Sequence, residues 1–431
     1  MAFTLVVSSI SILGVVLCLL FFPKLRIGKA TISTFYIPPL LGLILLLCFG
    51  ALPFQSYMDG LLSDGGMNPL EILALFFGMA FISSILDETG FFSFLASKAV
   101  LKAKGSQLSL FCLLYLLCSL LTMFTSNDIV IITFTPFILC FAKEAKINPL
   151  PYLLSEFVAA NTWSSLFIFG NPTNVYLASI FHLDFVSYLS GMFLPTIIAG
   201  ITSFLLMFLL FRRSLKEPLS IEQEETTIKD PLILWVSLTI LLGVTVLMAI
   251  SSFVSLPMWL FALGGALLLL VFLLVYYLCR KERPRILLEG AKKLPFSLAP
   301  FLLSMFGIVM ALSECGFSSL VVSSFSTFDP TWGYGLSSFM LSNLMNNLPM
   351  SVFFADLLSL SNTGLRPLFA VILASNLGAL WTPIGALAGI LWMRMLKERG
   401  VSFSFMKFCL YGSVIGIPTF VLSLLSLFLV C

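Results

Sequence analysis

Apolar stretches long enough to cross a bilayer recur from one end of the chain to the other, and they leave no soluble fold open. They fall near residues 1–22, 30–52, 70–86, 108–142, 150–181, 185–211, 231–252, 257–279, 295–313, 332–360, 367–393 and 402–430. A helix needs about 20 apolar residues to span a membrane. With 59% hydrophobic and 10% charged residues, a water-soluble domain could not bury this much apolar surface. The expectation is an all-α integral membrane protein whose first partner is the lipid bilayer of a cell (inner or plasma) membrane. Met1–Phe22 lacks a basic leader and a small-residue cleavage site, so it reads as a retained span rather than a signal peptide. The net charge of +3 comes from bases in short loops beside spans, which is no nucleic-acid signal.

Two of the stretches carry a polar knot in their middle. Residues 108–142 contain Thr125-Ser126-Asn127-Asp128, and 332–360 contain Ser342-Asn343-Leu344-Met345-Asn346-Asn347-Leu348-Pro349. Each knot is followed by a span interrupted at Pro and Gly: Gly170-Asn171-Pro172-Thr173-Asn174 within 150–181, and Trp381-Thr382-Pro383-Ile384-Gly385 within 367–393. At 35 and 29 residues the two knotted segments allow only about 15 residues per arm, short of a full crossing. They read as re-entrant hairpins, whose irregular tips are tolerable in a membrane only where they line a cavity.

Basic residues orient the chain. With the N-terminus outside, the clusters Lys24/Arg26/Lys29, Lys98/Lys102/Lys104, Lys143/Lys146, Arg212/Arg213/Lys216, Lys229, Arg280/Lys281/Arg283/Arg285, Lys292/Lys293 and Arg394/Lys397/Arg399/Lys407 all fall in the cytoplasm, and only Arg366 faces out. The C-terminus then also lies outside. The architecture expected is an inverted-repeat secondary transporter with about ten transmembrane spans, two re-entrant hairpins and two broken helices. Residues 1–211 form the first repeat, 212–230 a cytoplasmic linker, and 231–431 the second repeat. Phe77-Gly78 leading to Glu88-Thr89-Gly90-Phe91 is echoed by Phe306-Gly307 leading to Glu314-Cys315-Gly316-Phe317, with a short interfacial helix expected after each.

Hairpin tips and helix breaks expose orphan N–H and C=O groups, and the N-terminal ends attract lone pairs and anions. The residues expected to bind a small inorganic solute or anion are Ser126, Asn127, Asp128, Asn161, Asn171, Thr173, Asn174, Asn346, Asn347, Asn376, Thr382 and Gly385. Asn offers both donor and acceptor; helix capping and interhelical packing are the competing roles. Asp128 is the only acid placed deep by this topology; Glu156 and Asp356 fall one to two turns from an edge. A carboxyl group removed from water can exchange a proton near physiological pH, so Asp128 is the proton-coupling candidate, with H+ or Na+ as the coupling ion. The nine cysteines show no metal or disulfide spacing, and no cofactor is expected. No Gly-x-x-x-x-Gly-Lys-Ser/Thr motif is present, so a gradient or a separate ATPase partner must supply the energy. No Ser/His pair, acid dyad or His-Glu-x-x-His motif supports an enzyme. A homodimer is compatible with all of this.

Ser126-Asn127-Asp128 with Thr133-Phe134-Thr135-Pro136, Ala160-Asn161, Gly170-Asn171-Pro172-Thr173-Asn174, Met345-Asn346-Asn347-Leu348-Pro349 and Thr382-Pro383-Ile384-Gly385-Ala386-Leu387-Ala388 resemble the ion transporter superfamily. The resemblance is strongest to its arsenite/antimonite permease branch, related to divalent-anion/sodium symporters, and covers about 70–397. It implies hairpins and broken helices enclosing the substrate, and proton-coupled efflux of arsenic or antimony hydroxide. The symporters typically carry Ser-Asn-Thr at both tips; here Asp128 replaces the first Thr. Sodium- or proton-coupled uptake of an inorganic or carboxylate anion is the alternative expectation.

Overall fold

Helix starts are written locally. Asn68, Asp230 and Asp329 each precede a proline and accept hydrogen bonds from the backbone N–H groups two and three residues on; Ser106, Asp184 and Ser404 cap in the same way. Side-chain oxygens thus satisfy orphan donors of the first turn, beside a Pro that lacks one in α4, α11 and α17. The computed structural model describes residues 1–22, 24–27, 30–62, 68–217, 227–254, 256–325, 329–361 and 363–430. Lys29, the middle of the expected linker (218–226) and Cys431 lie outside these.

The first half comprises α1 (Ala2–Phe21), β1 (Lys24–Ile27), β2 (Ala30–Ser33), α2 (Ile37–Cys48), α3 (Phe54–Leu62), α4 (Pro69–Glu88), α5 (Phe91–Lys102), α6 (Gln107–Phe124), α7 (Asn127–Glu144), α8 (Leu150–Trp163), α9 (Pro172–Ile180) and α10 (Phe185–Phe211). The second comprises α11 (Pro231–Ala249), α12 (Ser251–Val254), α13 (Met258–Arg280), α14 (Arg285–Lys292), α15 (Leu298–Glu314), α16 (Phe317–Phe325), α17 (Pro330–Met345), α18 (Asn347–Leu360), α19 (Leu365–Leu377), α20 (Leu387–Glu398) and α21 (Phe405–Ser426).

The architecture is that of a helical membrane protein, with one addition. Strands β1 and β2 pair antiparallel, Lys24 opposite Ser33 and Ile27 opposite Ala30. A span was expected from residue 30, but Lys-Leu-Arg-Ile and Ala-Thr-Ile-Ser alternate with period two, and the helix begins only at Ile37 beside Pro38 and Pro39. Among the described residues six helices are long and apolar enough to cross a membrane, and α15 with α16 makes a seventh if the bent pair counts as one span. About ten were expected; the runs at α2, α18 and α19 form shorter helices. The first hairpin's arms are longer than expected, 18 residues each in α6 and α7, against 16 and 14 in α17 and α18.

Gly90 and Gly316 stand at the breaks that end α4 and α15. Their φ values are +86° and +79°, a left-handed conformation that costs a residue with a Cβ. Short helices α5 and α16 follow, and α15 and α16 meet at 76°.

Contacts between helices repeat across the two halves. Helices α6 and α7 pack on α8, as α17 and α18 pack on α19. Helix α9 lies on α18, and α20 on α7. Helix α4 packs on α13, and α15 packs on α2.

Where α4 ends, a charge cluster ties four segments together. Asp87, buried, accepts from Thr133 Oγ1 of α7 (3.0 Å) and is ion-paired to Lys293. Lys293 also reaches Glu88 (2.7 Å), which meets Lys229 at 3.3 Å. Burial alone lowers a lysine's pKa, but the carboxylates of Asp87 and Glu88 outweigh it and hold Lys293 above the ordinary lysine value. A raised lysine pKa stabilises at every pH below the unfolded value and is lost only as pH rises through the folded one, so the cluster is intact at physiological pH. Lys293→Met leaves Asp87 buried without its cation. We expect a loss of about 1–3 kcal/mol, discounted because Lys293 is one-third exposed, read as a lower Tm of purified protein.

Candidate functional site

The hairpin tips and helix breaks meet in one place. Helix α8 stops at Trp163; a 3₁₀ turn (Ile168–Gly170) and Asn171 carry the chain into α9. Helix α19 stops at Leu377, and 3₁₀ turns at Gly378–Leu380 and Pro383–Gly385 lead into α20. In each break a missing Cβ lets backbone approach backbone. A Cβ on Gly385 would lie 2.5 Å from the Gly378 carbonyl oxygen and 2.9 Å from Asn343 Oδ1. Gly385→Ala is therefore expected to cost roughly 1–3 kcal/mol by overpacking, seen as a Tm drop and reduced folded yield.

Asn376 is the hub. Its Oδ1 accepts from Asn171 Nδ2 (3.0 Å) and Ser164 Oγ (3.0 Å). Its Nδ2 donates to Asn174 Oδ1 (2.6 Å) and to the Ile372 carbonyl (2.8 Å). Asn174 Nδ2 in turn donates to the Ser164 carbonyl (2.8 Å), and Thr173 Oγ1 pairs with Ser375 Oγ (3.0 Å). Asn161, Asn174 and Asn376 are fully buried. Such a network is stable only when every member is satisfied, and these bonds lock the two breaks face to face.

The tips dock onto this block. Asn127 Nδ2 donates to Asn161 Oδ1 (3.1 Å), and Asn347 Nδ2 to the Ser375 carbonyl (3.1 Å). Asn346, at φ +79°, caps Leu348 N–H and donates to the Ile384 carbonyl (3.0 Å). Asn343 Oδ1 accepts from Thr382 N–H (3.0 Å) and Oγ1 (2.7 Å).

Between tips and breaks lies a small cavity lined by Asn127, Asp128, Asn171, Pro172, Leu298, Asn347, Leu348, Ala386 and Leu387. Every one of these belongs to the cap or first turn of a helix: α7, α9, α15, α18 or α20. Five helix N-termini therefore converge on one space, and their partial positive charges add. The Asp128 carboxylate stands in that field, with no hydrogen bond or ion pair to its oxygens among the described residues. The cavity measures about 10 Å³ for the centre of a water, room for roughly one water. Loading anything larger requires the N-termini to part.

The predicted residues thus divide by role. Asn127, Asp128, Asn171 and Asn347 line the cavity. Asn161, Thr173, Asn174 and Asn376 form the locking network behind it, Thr382 and Asn346 tie the second tip to the second break, and Gly385 provides the close approach. Ser126 is the buried residue before α7 and makes no side-chain cap bond. Sequence reasoning missed Ser164, Ser375 and Asn343 as bonding partners and Leu298 as a wall. Ser375 and Asn343 sit beside named residues, a usable signal; Leu298 opens a helix remote in sequence and carried none. Among the described residues no three His, Cys, Asp or Glu side chains stand together to hold a metal.

The chain matches the family described as Citrate transporter (CitMHS) over residues 35–362. It is 29% identical over 375 residues to the putative arsenical pump membrane protein of Bacillus subtilis (strain 168), covering 79% of this chain and 83% of that one. It is 26% identical over 378 residues to the arsenical pump membrane protein of Escherichia coli, covering 82% and 85%. Among solved structures, the Alcanivorax borkumensis YdaH transporter shares the fold at a TM-score of 0.55 and 14% identity, over 99% of this chain and 96% of that one. The chain belongs to the CitMHS family of the ion transporter superfamily: it is a multi-pass membrane protein and a secondary transporter for a small solute, related to the arsenical pump membrane proteins, and not an enzyme.

Proposed function

We propose that this transporter exports trivalent arsenic or antimony hydroxide in exchange for protons, with Asp128 as the shared binding group. The carrying observation is the Asp128 carboxylate in a cavity otherwise lined, at five helix N-termini, by Asn127, Asn171 and Asn347 and by apolar residues. A neutral hydroxide donates O–H to an ionised carboxylate; a proton on Asp128 turns that acceptor into a donor and removes the partner. Solute and proton then compete for one group, which is the condition for exchange. Asn127, Asn171 and Asn347 take the remaining hydroxyls, and the names of the arsenical pump relatives point to the same solute class.

The convergent N-termini favour a second reading, a permease for a small inorganic or carboxylate anion coupled to protons or sodium. There the sign reverses. An anion is repelled by ionised Asp128 and admitted once it is protonated, so proton and solute travel together. The family description agrees with this reading.

On either reading residues 1–211 and 231–431 act as inverted repeats joined by 212–230, with 108–142 and 332–360 re-entrant from opposite faces and both termini extracytoplasmic. The recurring helix contacts support it. The deciding experiment is arsenite flux in proteoliposomes under an imposed pH gradient, with and without sodium. Arsenite movement against a proton gradient, slowed by acid on the loading side, supports exchange. Sodium- or acid-stimulated anion uptake without arsenite flux overturns it in favour of the anion permease.

A further inference from the structure

Glu156 stands between one and two turns from the start of α8 and is fully buried. One carboxylate oxygen, Oε1, accepts from Thr135 Oγ1 of α7 at 2.8 Å. The other, Oε2, has no partner among the described residues; the indole N–H of Trp392 on α20 lies beside it without meeting hydrogen-bond geometry, and is itself unpartnered.

Among the described residues no cation is paired with this acid. From α6 the nearby group is the buried thiol of Cys118. Helix α7 presents the neutral hydroxyl of Thr135, and its Lys143 and Glu144 lie two turns or more further on. Helix α10 carries no charged residue between Phe185 and Phe211, and α19 only Arg366 at its start. On α20 the nearest base, Arg394, is engaged by Glu398 at 2.7 Å. A bare carboxylate in such surroundings is far costlier than the neutral acid, and a neutral acid can use the unpartnered oxygen as an O–H donor.

Its position links it to the site. Thr135 is seven residues beyond Asp128 on α7, so it shares that residue's face at about 10 Å along the axis. One turn from Glu156 towards the start of α8 stands Tyr152, whose hydroxyl donates to Gln107 Oε1 at 2.9 Å. Gln107 opens α6 beside the loop that follows Lys102. Two separate polar pairs, Thr135–Glu156 and Tyr152–Gln107, therefore stand between the cavity and the end of the bundle in an otherwise apolar interior.

We propose that Glu156 is a proton-carrying acid, an intermediate station through which Asp128 exchanges its proton with the face where α8 begins. It receives the proton on the Thr135 side and passes it along the Tyr152–Gln107 side, returning each time to the same form. This rests on the proton-coupling reading of Asp128.

The test has two arms on full-length protein. In nanodiscs, pH-step infrared difference spectra are expected to show protonated-carboxyl C=O bands, one lost in Glu156→Gln and a different one lost in Asp128→Asn. Thr135→Val, which deletes the Thr135 Oγ1 hydrogen bond to Glu156, should shift the Glu156 band and leave the other in place. In proteoliposomes holding a pH dye and arsenite or antimonite, Glu156→Gln should slow proton movement at least tenfold while solute counterflow at equal pH changes less than threefold. Absence of a Glu156 band, or proton movement unchanged in Glu156→Gln while Asp128→Asn abolishes it, overturns this inference alone. Proton movement unchanged in Asp128→Asn overturns the underlying reading instead. If Glu156→Gln fails to fold, Thr135→Val decides: an unshifted band and unchanged proton movement overturn the proposal.

Discussion

Replacing Asp128 with asparagine is expected to cut proton-driven arsenite flux about 10- to 100-fold and to flatten its pH dependence. The substitution keeps the side chain's shape and its place in the first turn of α7, so the fold should survive. What disappears is the charged acceptor. A hydrogen bond to a charged group contributes roughly 1.5–3 kcal/mol, and about 1.4 kcal/mol is tenfold in affinity. The amide also mimics the protonated carboxyl in charge, so the variant is held as if loaded with a proton. An anion permease would respond in the opposite sense: anion uptake would persist in Asp128→Asn and lose its acid stimulation. Flux of arsenite with unaltered pH dependence would remove Asp128 from the coupling step.

The second large effect is structural. Asn376→Ala should destabilise the protein by about 2–5 kcal/mol, because Asn171 Nδ2 and Asn174 Oδ1 both lose their partner in a fully buried setting and each orphaned group costs roughly 1–3 kcal/mol. Ser164 keeps a bond to the Asn161 carbonyl (3.1 Å) and is not orphaned. Tm should fall by about 2–5 °C, and transport should fall with it, since the network holds both helix breaks in register. An Asn376→Ala variant with wild-type Tm would show that the network is not what locks the breaks together.

Much of the site was legible before any fold was known. A polar knot inside an apolar run is a local property, because lipid penalises each unsatisfied group wherever it lies, and the sequence therefore advertised both tips and both breaks. The first turns of α7, α9 and α18 fall at Asn127, Pro172 and Asn347, all inside those motifs. The small β-hairpin was missed because its eight paired residues abut an apolar run and were absorbed into it. The division of labour among the asparagines was not legible either. Asn346 and Asn347 are adjacent and chemically identical, yet one clamps Ile384 and the other lines the cavity; the positive φ at Asn346 separates them.

Membrane residence, the existence of tips and breaks, and the acid within the first tip follow from sequence alone, since each depends on residues close together along the chain. The tertiary structure decided which of these features meet. Asn376 bonds Asn174 across 202 positions and Asn171 across 205, and Leu298 enters the cavity from a helix with no polar signature. It also decided that Glu156 is sealed from water, because α7 and α20 close over α8. Burial and partnership are set by what packs against a residue, and in a chain this uniformly apolar the neighbours cannot be read from hydropathy.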